Sequence, residues 1–507
     1  ICWVCCWRCR WPAAPKPSLM LGASSCGQLS AAPTRSVRRR RDDSLSLQVG
    51  NNCCHRFLQV LTAGVHPQLR AFGGFVGAGD ACEFFNFAGS SLGVKALGVA
   101  LLGLGSRPKI FDLSLINMHG ERERMAENSR QRRTPVQRPL LPESAAILPY
   151  LKALDEDRWY TNRGRLAWQL EESLSERFGC RSHSVISFSS GTIALEAAIL
   201  AHAGQANPER PLALLPAYTF IATAQAAIRC GYQLHFTDVD PQTWMLDPSA
   251  IACHPQLAHA GLILPVAACG RMPDMLGWER VQTATGVPVV IDAAASFEQF
   301  LATPGSVSDH VPAAMSFHAT KSFTTAEGGA VLWNNAYALL RLAQISNFGL
   351  DGTRVCKLPG MNGKMSEYHA AVGLACLDQW PARSARHAAV AAAWSAAARH
   401  WPGHIVTTPK VSAAYVLFDA RDAAVAEAVA KALDAAGIDT RRWYGEALHR
   451  QPFLCGEAAD PLPVTEDLAA RHLGLPAAID LSADEITAIA NAVCPASLVN
   501  PYVGKSI

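Results

Sequence analysis

Ser316-Phe317-His318-Ala319-Thr320-Lys321, with Glu327-Gly328-Gly329-Ala330-Val331 six residues on, is the stretch whose surroundings decide the fold of this chain. Upstream of it, Val287-Pro288-Val289-Val290-Ile291-Asp292 is an apolar run that ends on a carboxylate. Further upstream, Ser189-Ser190-Gly191-Thr192 opens the helix-like Ile193-Ala194-Leu195-Glu196-Ala197-Ala198. Taken singly, each piece has an ordinary reading. A Ser-Gly-Thr before a helix is a cap, an Asp closing a strand is a turn residue, and a Lys is a solvated surface group. The ordered set, inside one region of alternating strands and helices, points to a single binding site.

The chemistry of pyridoxal phosphate asks for these parts. A lysine carries it as a Schiff base, an aspartate at the end of a buried strand holds the proton on its ring nitrogen, and a small-residue loop takes its phosphate. The amine must be neutral near pH 7, which burial beside other positive charge supplies. Gly191 lets the backbone come close to an anion, and Ser190 and Thr192 add hydroxyl donors.

Around these parts the chain alternates. Leu212–Leu215, Gln233–Thr237, Leu262–Val266 and the run from Val287 to Asp292 read as strands. Phe220–Arg229 and Pro273–Thr285 read as helices. Such a pattern predicts a mostly parallel sheet wrapped by helices, with ligands at the carboxyl ends of the strands. From about Ala336 the chain turns helical and Ala-rich, and Ile405–Phe418, Ala423–Ala436 and Ile438–Trp443 suggest a small α+β domain.

From about Leu141 to about Val493 the chain resembles the DegT/DnrJ/EryC1/StrS aminotransferases. The resemblance is carried by Ser190-Gly191-Thr192-Ile193-Ala194-Leu195, by Pro216-Ala217-Tyr218-Thr219-Phe220-Ile221-Ala222-Thr223-Ala224, by Asp292-Ala293-Ala294 and by the Lys321 stretch. It ends on Gly360-Met361-Asn362-Gly363-Lys364-Met365-Ser366-Glu367-Tyr368-His369-Ala370-Ala371. The resemblance implies an α/β fold of type I with a smaller C-terminal domain, pyridoxal 5'-phosphate as cofactor, and transfer of an amino group from glutamate to a nucleotide-linked keto sugar. It implies Lys321 as the cofactor-bearing and catalytic residue, Asp292 at the ring nitrogen and Phe220 stacked on the ring. Ser316, Gly191 and Thr192 fall to the phosphate. Asn362 would reach the phosphate of a neighbouring subunit, so a homodimer is expected.

One position departs from the family pattern. Gln or His usually stands three residues after the aspartate, near the cofactor's phenolic oxygen, and here it is Ala295, with Ser296 as the candidate substitute. Retention of Lys321 favours transamination over the dehydration chemistry of relatives that carry histidine there. The alternatives are another lysine-dependent reaction on the same fold, or a regulator that keeps the fold without turnover.

Among the other polar residues, His318 reads equally as a proton-transfer group and as a spacer, and Glu327 as structural. Trp159 to Asn162 resemble the substrate-side entry of the family. His449 reads as a structural residue, and Tyr368 and His369 as helix packing.

A length of 507 residues leaves room for roughly two to four domains. The division read from the sequence is an atypical 1–124, a segment 125–335 holding the large cofactor-binding domain, and a segment 336–507 with connecting helices and the small domain. Residues 1–124 hold eight of the sixteen cysteines and the run Arg38-Arg39-Arg40-Arg41, with poor hydrophobic periodicity. Cys2, Cys5, Cys6 and Cys9 have no matching downstream pair at a zinc-finger distance. This part is read as a disordered or spurious extension ahead of Met125. A net charge of +3 makes no electrostatic case for nucleic acid, and no stretch is apolar enough for a membrane span. Isolated cysteines without a secretion signal suggest reduced thiols in a cytoplasm. No metal site is expected.

Overall fold

Seven short strands form the central run of the main sheet: β1 (Val185–Phe188), β2 (Leu212–Pro216), β3 (Gln233–Thr237), β4 (Ala260–Ile263), β5 (Ile291–Asp292), β6 (Ala313–Ser316) and β7 (Gly329–Leu332). In the computed structural model, residues 133–407 and 415–493 are described, and all of them lie in one compact unit, Lys109–Ile507. The extension read over residues 1–124, with its cysteine cluster, lies outside the described residues. The strands pair in the orders β1-β7-β6-β5 and β3-β2-β4. Single parallel bridges, Ile263 to Val289 and Val266 to Asp292, join β4 to β5. The result is one sheet, β1-β7-β6-β5-β4-β2-β3, in which β7 runs antiparallel to both neighbours.

Strand extents over Leu262–Val266 and Val287–Asp292 need correction. The regular ladder stops at Ile263, and only Ile291–Asp292 pairs regularly with β6. Pro265 and Pro288 are the reason. Neither has an N–H to give, so each serves only as acceptor, Pro265 from Asp292 (2.9 Å) and Pro288 from Ile263 (2.9 Å). The break leaves Asp292 at the last rung before the chain turns away from the sheet.

Apolar runs such as Leu212-Ala213-Leu214-Leu215 are buried because helices cover both faces of the parallel part. Phe188, Leu195, Ala198, Leu215 and Phe236 pack on one side, and Leu170, Leu214, Phe297, Phe300 and Phe323 on the other. Glu367, buried in the helix Glu367–Asp378, accepts hydrogen bonds from the Gly164, Leu166 and Ala167 N–H groups (2.7, 2.7 and 3.1 Å). It thereby caps the helix Arg165–Arg177. A Cβ at Gly164 would meet the Glu367 carboxyl carbon at 2.8 Å.

After the helix Trp380–Ala397 the chain forms β8 (Gly403–Val406), β9 (Val416–Ala420), β10 (Arg441–Arg442), β11 (Ala458–Ala459) and β12 (His472–Leu475). A second, antiparallel sheet has the order β10-β12-β9-β8. Trp394, Phe418, Val429, Leu433 and Ile486 form its own core. β11 instead returns to the main sheet and pairs parallel with its edge strand β3. Among the described residues no helix is long and apolar enough to cross a membrane.

Candidate active site

The carboxyl ends of β5 and β6, the turn after β6 and the start of the helix Gly191–His202 border one cavity of about 660 Å³. Its wall holds Gly191, Thr192, Phe220, Asp292, Ser316 and Lys321, which the sequence places up to 130 residues apart. Crossovers of a parallel sheet bring such strand ends together.

The anion corner is set by close packing. Ser190 caps the helix through its hydroxyl, which accepts from the Ile193 N–H (3.2 Å). The Gly191 and Thr192 N–H groups belong to the first turn, which no carbonyl within the helix satisfies. A Cβ on Gly191 would sit 2.6 Å from the Ser316 Cβ, and one on Gly329 would sit 2.6 Å from the Gly191 Cα. Glycine is required here because helix start and strand end touch.

Asp292 is only 7 % exposed. One carboxylate oxygen accepts from the Thr223 hydroxyl (2.7 Å) and the other from the Ala294 N–H (3.1 Å). Thr219 and Thr223 are themselves hydroxyl partners at 3.0 Å. Burial raises the Asp292 pKa above the usual carboxylate range, against the opposing pull of Thr223, Ala294 and Lys321. Burial likewise lowers the Lys321 pKa, with Asp292 and Cys269 opposing. A buried carboxylate in need of a cation and an amine biased toward its neutral form therefore share one wall.

The remaining candidates divide. Phe220 stands at the start of the helix Ile221–Arg229 with 63 % of its surface exposed, on the cavity wall. Ala295 also lines the cavity, but Ser296 does not. Ser296 is fully buried and its hydroxyl donates to the Arg271 carbonyl (3.0 Å), so it cannot substitute for the residue that Ala295 replaces. His318 and Glu327 line the rim; His318 Nδ1 meets the Thr320 hydroxyl (2.8 Å) and its Nε2 lies 3.5 Å from Glu327. Asn362 is exposed outside this cavity, where its side-chain oxygen accepts from Lys364 Nζ (2.7 Å). Trp159 to Asn162 are exposed outside it as well. His449 pairs with Glu466 at 3.3 Å, away from the cavity.

Sequence reading missed Thr223 as a carboxylate partner, and it missed Gln137, Tyr415, Arg441, Trp443 and Tyr444, all of which line the cavity. Arg441 donates to the Gln137 side chain across the rim (3.2 Å). The signal available was the basic-aromatic run Arg441-Arg442-Trp443-Tyr444 at the end of a short strand.

Elsewhere His235, His254 and Asp460 lie close enough together to hold a metal ion. Each Asp460 oxygen accepts from one histidine Nε2 (3.0 and 2.9 Å), and the Gln256 N–H donates to His254 Nδ1 (3.2 Å). His254 therefore carries its proton on Nε2, and the trio is a satisfied hydrogen-bond clamp that ties β11 to β3.

Residues 143–494 match the model of the DegT/DnrJ/EryC1/StrS aminotransferase family. The protein Mb3436c of Mycobacterium bovis is 30% identical over 370 residues, which cover 71% of this chain and 89% of that protein. The dTDP-4-amino-4,6-dideoxy-D-glucose transaminase of Escherichia coli is 27% identical over 367 residues, 70% of this chain and 96% of that enzyme. The crystal structure of DesI in the presence of its TDP-sugar product superposes with a TM-score of 0.64 at 28% identity, over 72% of this chain and 93% of DesI. The fold is that of the type I pyridoxal-phosphate-dependent transferases.

Proposed function

Since the chain belongs to the DegT/DnrJ/EryC1/StrS aminotransferase family, we propose that this aminotransferase holds pyridoxal 5'-phosphate on Lys321 and moves an amino group from glutamate to a nucleotide-linked keto sugar. The observation that carries the reading is the meeting of Lys321, Asp292 and the Gly191 helix start in one cavity. The residues fit the cofactor. The buried Asp292 lacks a full cationic partner, and the contact between Gly191 and Ser316 forms a cradle that a Cβ would fill.

When bound, the cofactor supplies an electron sink for the charge left by proton removal next to the transferred nitrogen. The chain's own residues do the rest. Lys321, held toward its neutral form, attaches the cofactor and then takes and returns the proton as general base. Asp292 keeps the ring nitrogen protonated by ion pairing, and Thr223 fixes the carboxylate that does so. The Gly191 and Thr192 N–H groups and the Ser316 hydroxyl bind the phosphate, and Phe220 covers a ring face. Arg441, oriented by Gln137, presents a cation at the rim to the carboxylate of the donor or the diphosphate of the sugar. The names of two relatives, a dTDP-sugar transaminase and a protein crystallised with a TDP-sugar product, support the substrate class. The test is turnover of the purified full chain with L-glutamate and a panel of nucleotide-linked keto sugars. Matching yields of 2-oxoglutarate and amino sugar are expected, and no turnover on any member by cofactor-loaded protein would remove the substrate assignment.

The active unit in this reading is a homodimer in which Asn362 serves the partner's phosphate. Its place outside its own cavity supports that, as does the apolar surface around it. Tyr160 stacks on Tyr368 with centroids 6.2 Å apart, Lys364 lies over the Phe348 ring, and all three aromatic residues are about half exposed. Mixing Lys321→Ala with Asn362→Ala subunits should restore part of the activity that each lacks alone. Hybrids that exchange subunits yet recover nothing would count against a shared site. The division at residues 124 and 335 and a cytoplasmic location belong to the same proposal. Seven free cysteines among the described residues are consistent with a reducing compartment.

A further inference from the structure

The cavity has a phenol on its wall that none of the cofactor contacts above uses. Tyr444 lines the cavity just after β10. Its oxygen accepts the Cys269 N–H (3.3 Å), which leaves its own hydrogen available. The competing acceptor beside it is the Cys269 thiol, and sulfur accepts only weakly. The ring is held edge-on against Tyr218, centroids 4.9 Å apart at 87°, and the Tyr218 hydroxyl is fixed by His472 Nδ1 at 2.5 Å. Cys269 adopts φ +54, a left-handed conformation uncommon outside glycine, in the turn that aims its N–H at Tyr444. Burial keeps the Tyr444 hydroxyl protonated well beyond the ordinary range of a phenol. The donor is thus held by the Cys269 N–H and by the Tyr218 ring.

Strand order tells which part of the cofactor it faces. Along the sheet the Gly191 helix start and Ser316 stand on the β6 side of Asp292. The segment Val266–Cys269, which follows β4, stands on the other side, fastened by the Ala267 N–H to the Asp292 carbonyl (2.8 Å). A pyridine ring with its nitrogen at Asp292 and its phosphate arm toward Gly191 must turn its phenolic oxygen to the β4 side, because those two substituents flank the axis from nitrogen to the lysine-bound carbon. Ala295 is on this side, its carbonyl against Gly270, and its side chain has nothing to donate.

We propose that Tyr444 donates a hydrogen bond to the phenolic oxygen of the bound cofactor. The inference rests on the cofactor reading above. Such a donor draws electron density from the oxygen and competes with the proton that the oxygen shares with the lysine-linked nitrogen, so it makes that nitrogen easier to deprotonate. Cys269, Asp292, Tyr415 and, edge-on, Tyr218 are titratable groups around the phenol.

The test is a pH titration of the visible absorbance of the cofactor-loaded full chain. A hydrogen bond to a charged oxygen corresponds to about 1 to 2 pH units, so Tyr444→Phe should move the midpoint up by about that much while the band itself persists. Tyr444→Gln, which keeps a donor, should return part of the shift and provides a second variant if loss of the hydroxyl harms folding. Tyr218→Phe, which keeps the edge-on ring, should move the midpoint by less than Tyr444→Phe does. An unchanged midpoint in both Tyr444 variants overturns the proposal, and so does a shift found in Tyr415→Phe alone. Absence of the band from the parent protein would instead bring down the cofactor reading on which the inference rests.

Discussion

Lys321→Ala should abolish the absorbance near ~420 nm that a lysine-bound cofactor gives, and should lower turnover by roughly 10⁴-fold, the upper end of what one positioned proton-transfer group contributes. Two functions end together in this variant. The covalent anchor goes, and so does the base that burial biases toward its neutral form. Lys321→Arg separates them from mere loss of charge. A guanidinium stays protonated at any working pH, so it can neither attach the cofactor nor accept a proton, and it should be as inactive as alanine. Steady-state rates and spectra of the two variants provide the check. Normal transamination by either would sink the assignment of Lys321.

What the sequence made legible, and what it hid, follows from the range of the interactions. Gly191, Asp292 and Lys321 each stand in a local context with a chemical meaning: a helix start, a strand end and a turn. The structure gathers those contexts at one cavity wall. The strands of the parallel sheet were readable as apolar runs because both faces are buried. Their ends were not, because Pro265 and Pro288 interrupt the ladder without interrupting the apolar pattern. Ser296 was adjacent to the right position in sequence, but the turn after Asp292 directs its hydroxyl to the Arg271 carbonyl. Tyr444 was out of reach for another reason. Its meaning comes from Cys269, 175 residues away, and from a left-handed turn that no pattern of residue types announces. Thr223 was quoted only as part of a motif, since its partner Asp292 is 69 residues on.

Asp292→Asn should reduce turnover by roughly 10²- to 10³-fold, the scale of breaking a buried ion pair. The amide keeps the shape: its oxygen can accept from the Ala294 N–H while its NH2 donates to the Thr223 hydroxyl, so the variant tests charge rather than packing. The same change should act in the opposite direction on the cofactor-free protein. Burial raises the Asp292 pKa above its unfolded value, so the folded state favours the protonated acid. Its favourable contribution to stability is present below the unfolded pKa and is lost as pH rises through the folded one. At pH 7, above the unfolded pKa, burying this acid therefore costs the cofactor-free parent stability, and the ring nitrogen's positive charge relieves that cost on binding. Thermal unfolding at pH 7 with and without pyridoxal phosphate checks both halves. Asp292→Asn should unfold at a higher temperature than the parent without cofactor and gain less from its addition, while the difference between the cofactor-free proteins should shrink toward pH 4. A variant that gains from the cofactor as much as the parent does would show that Asp292 is not its charge partner.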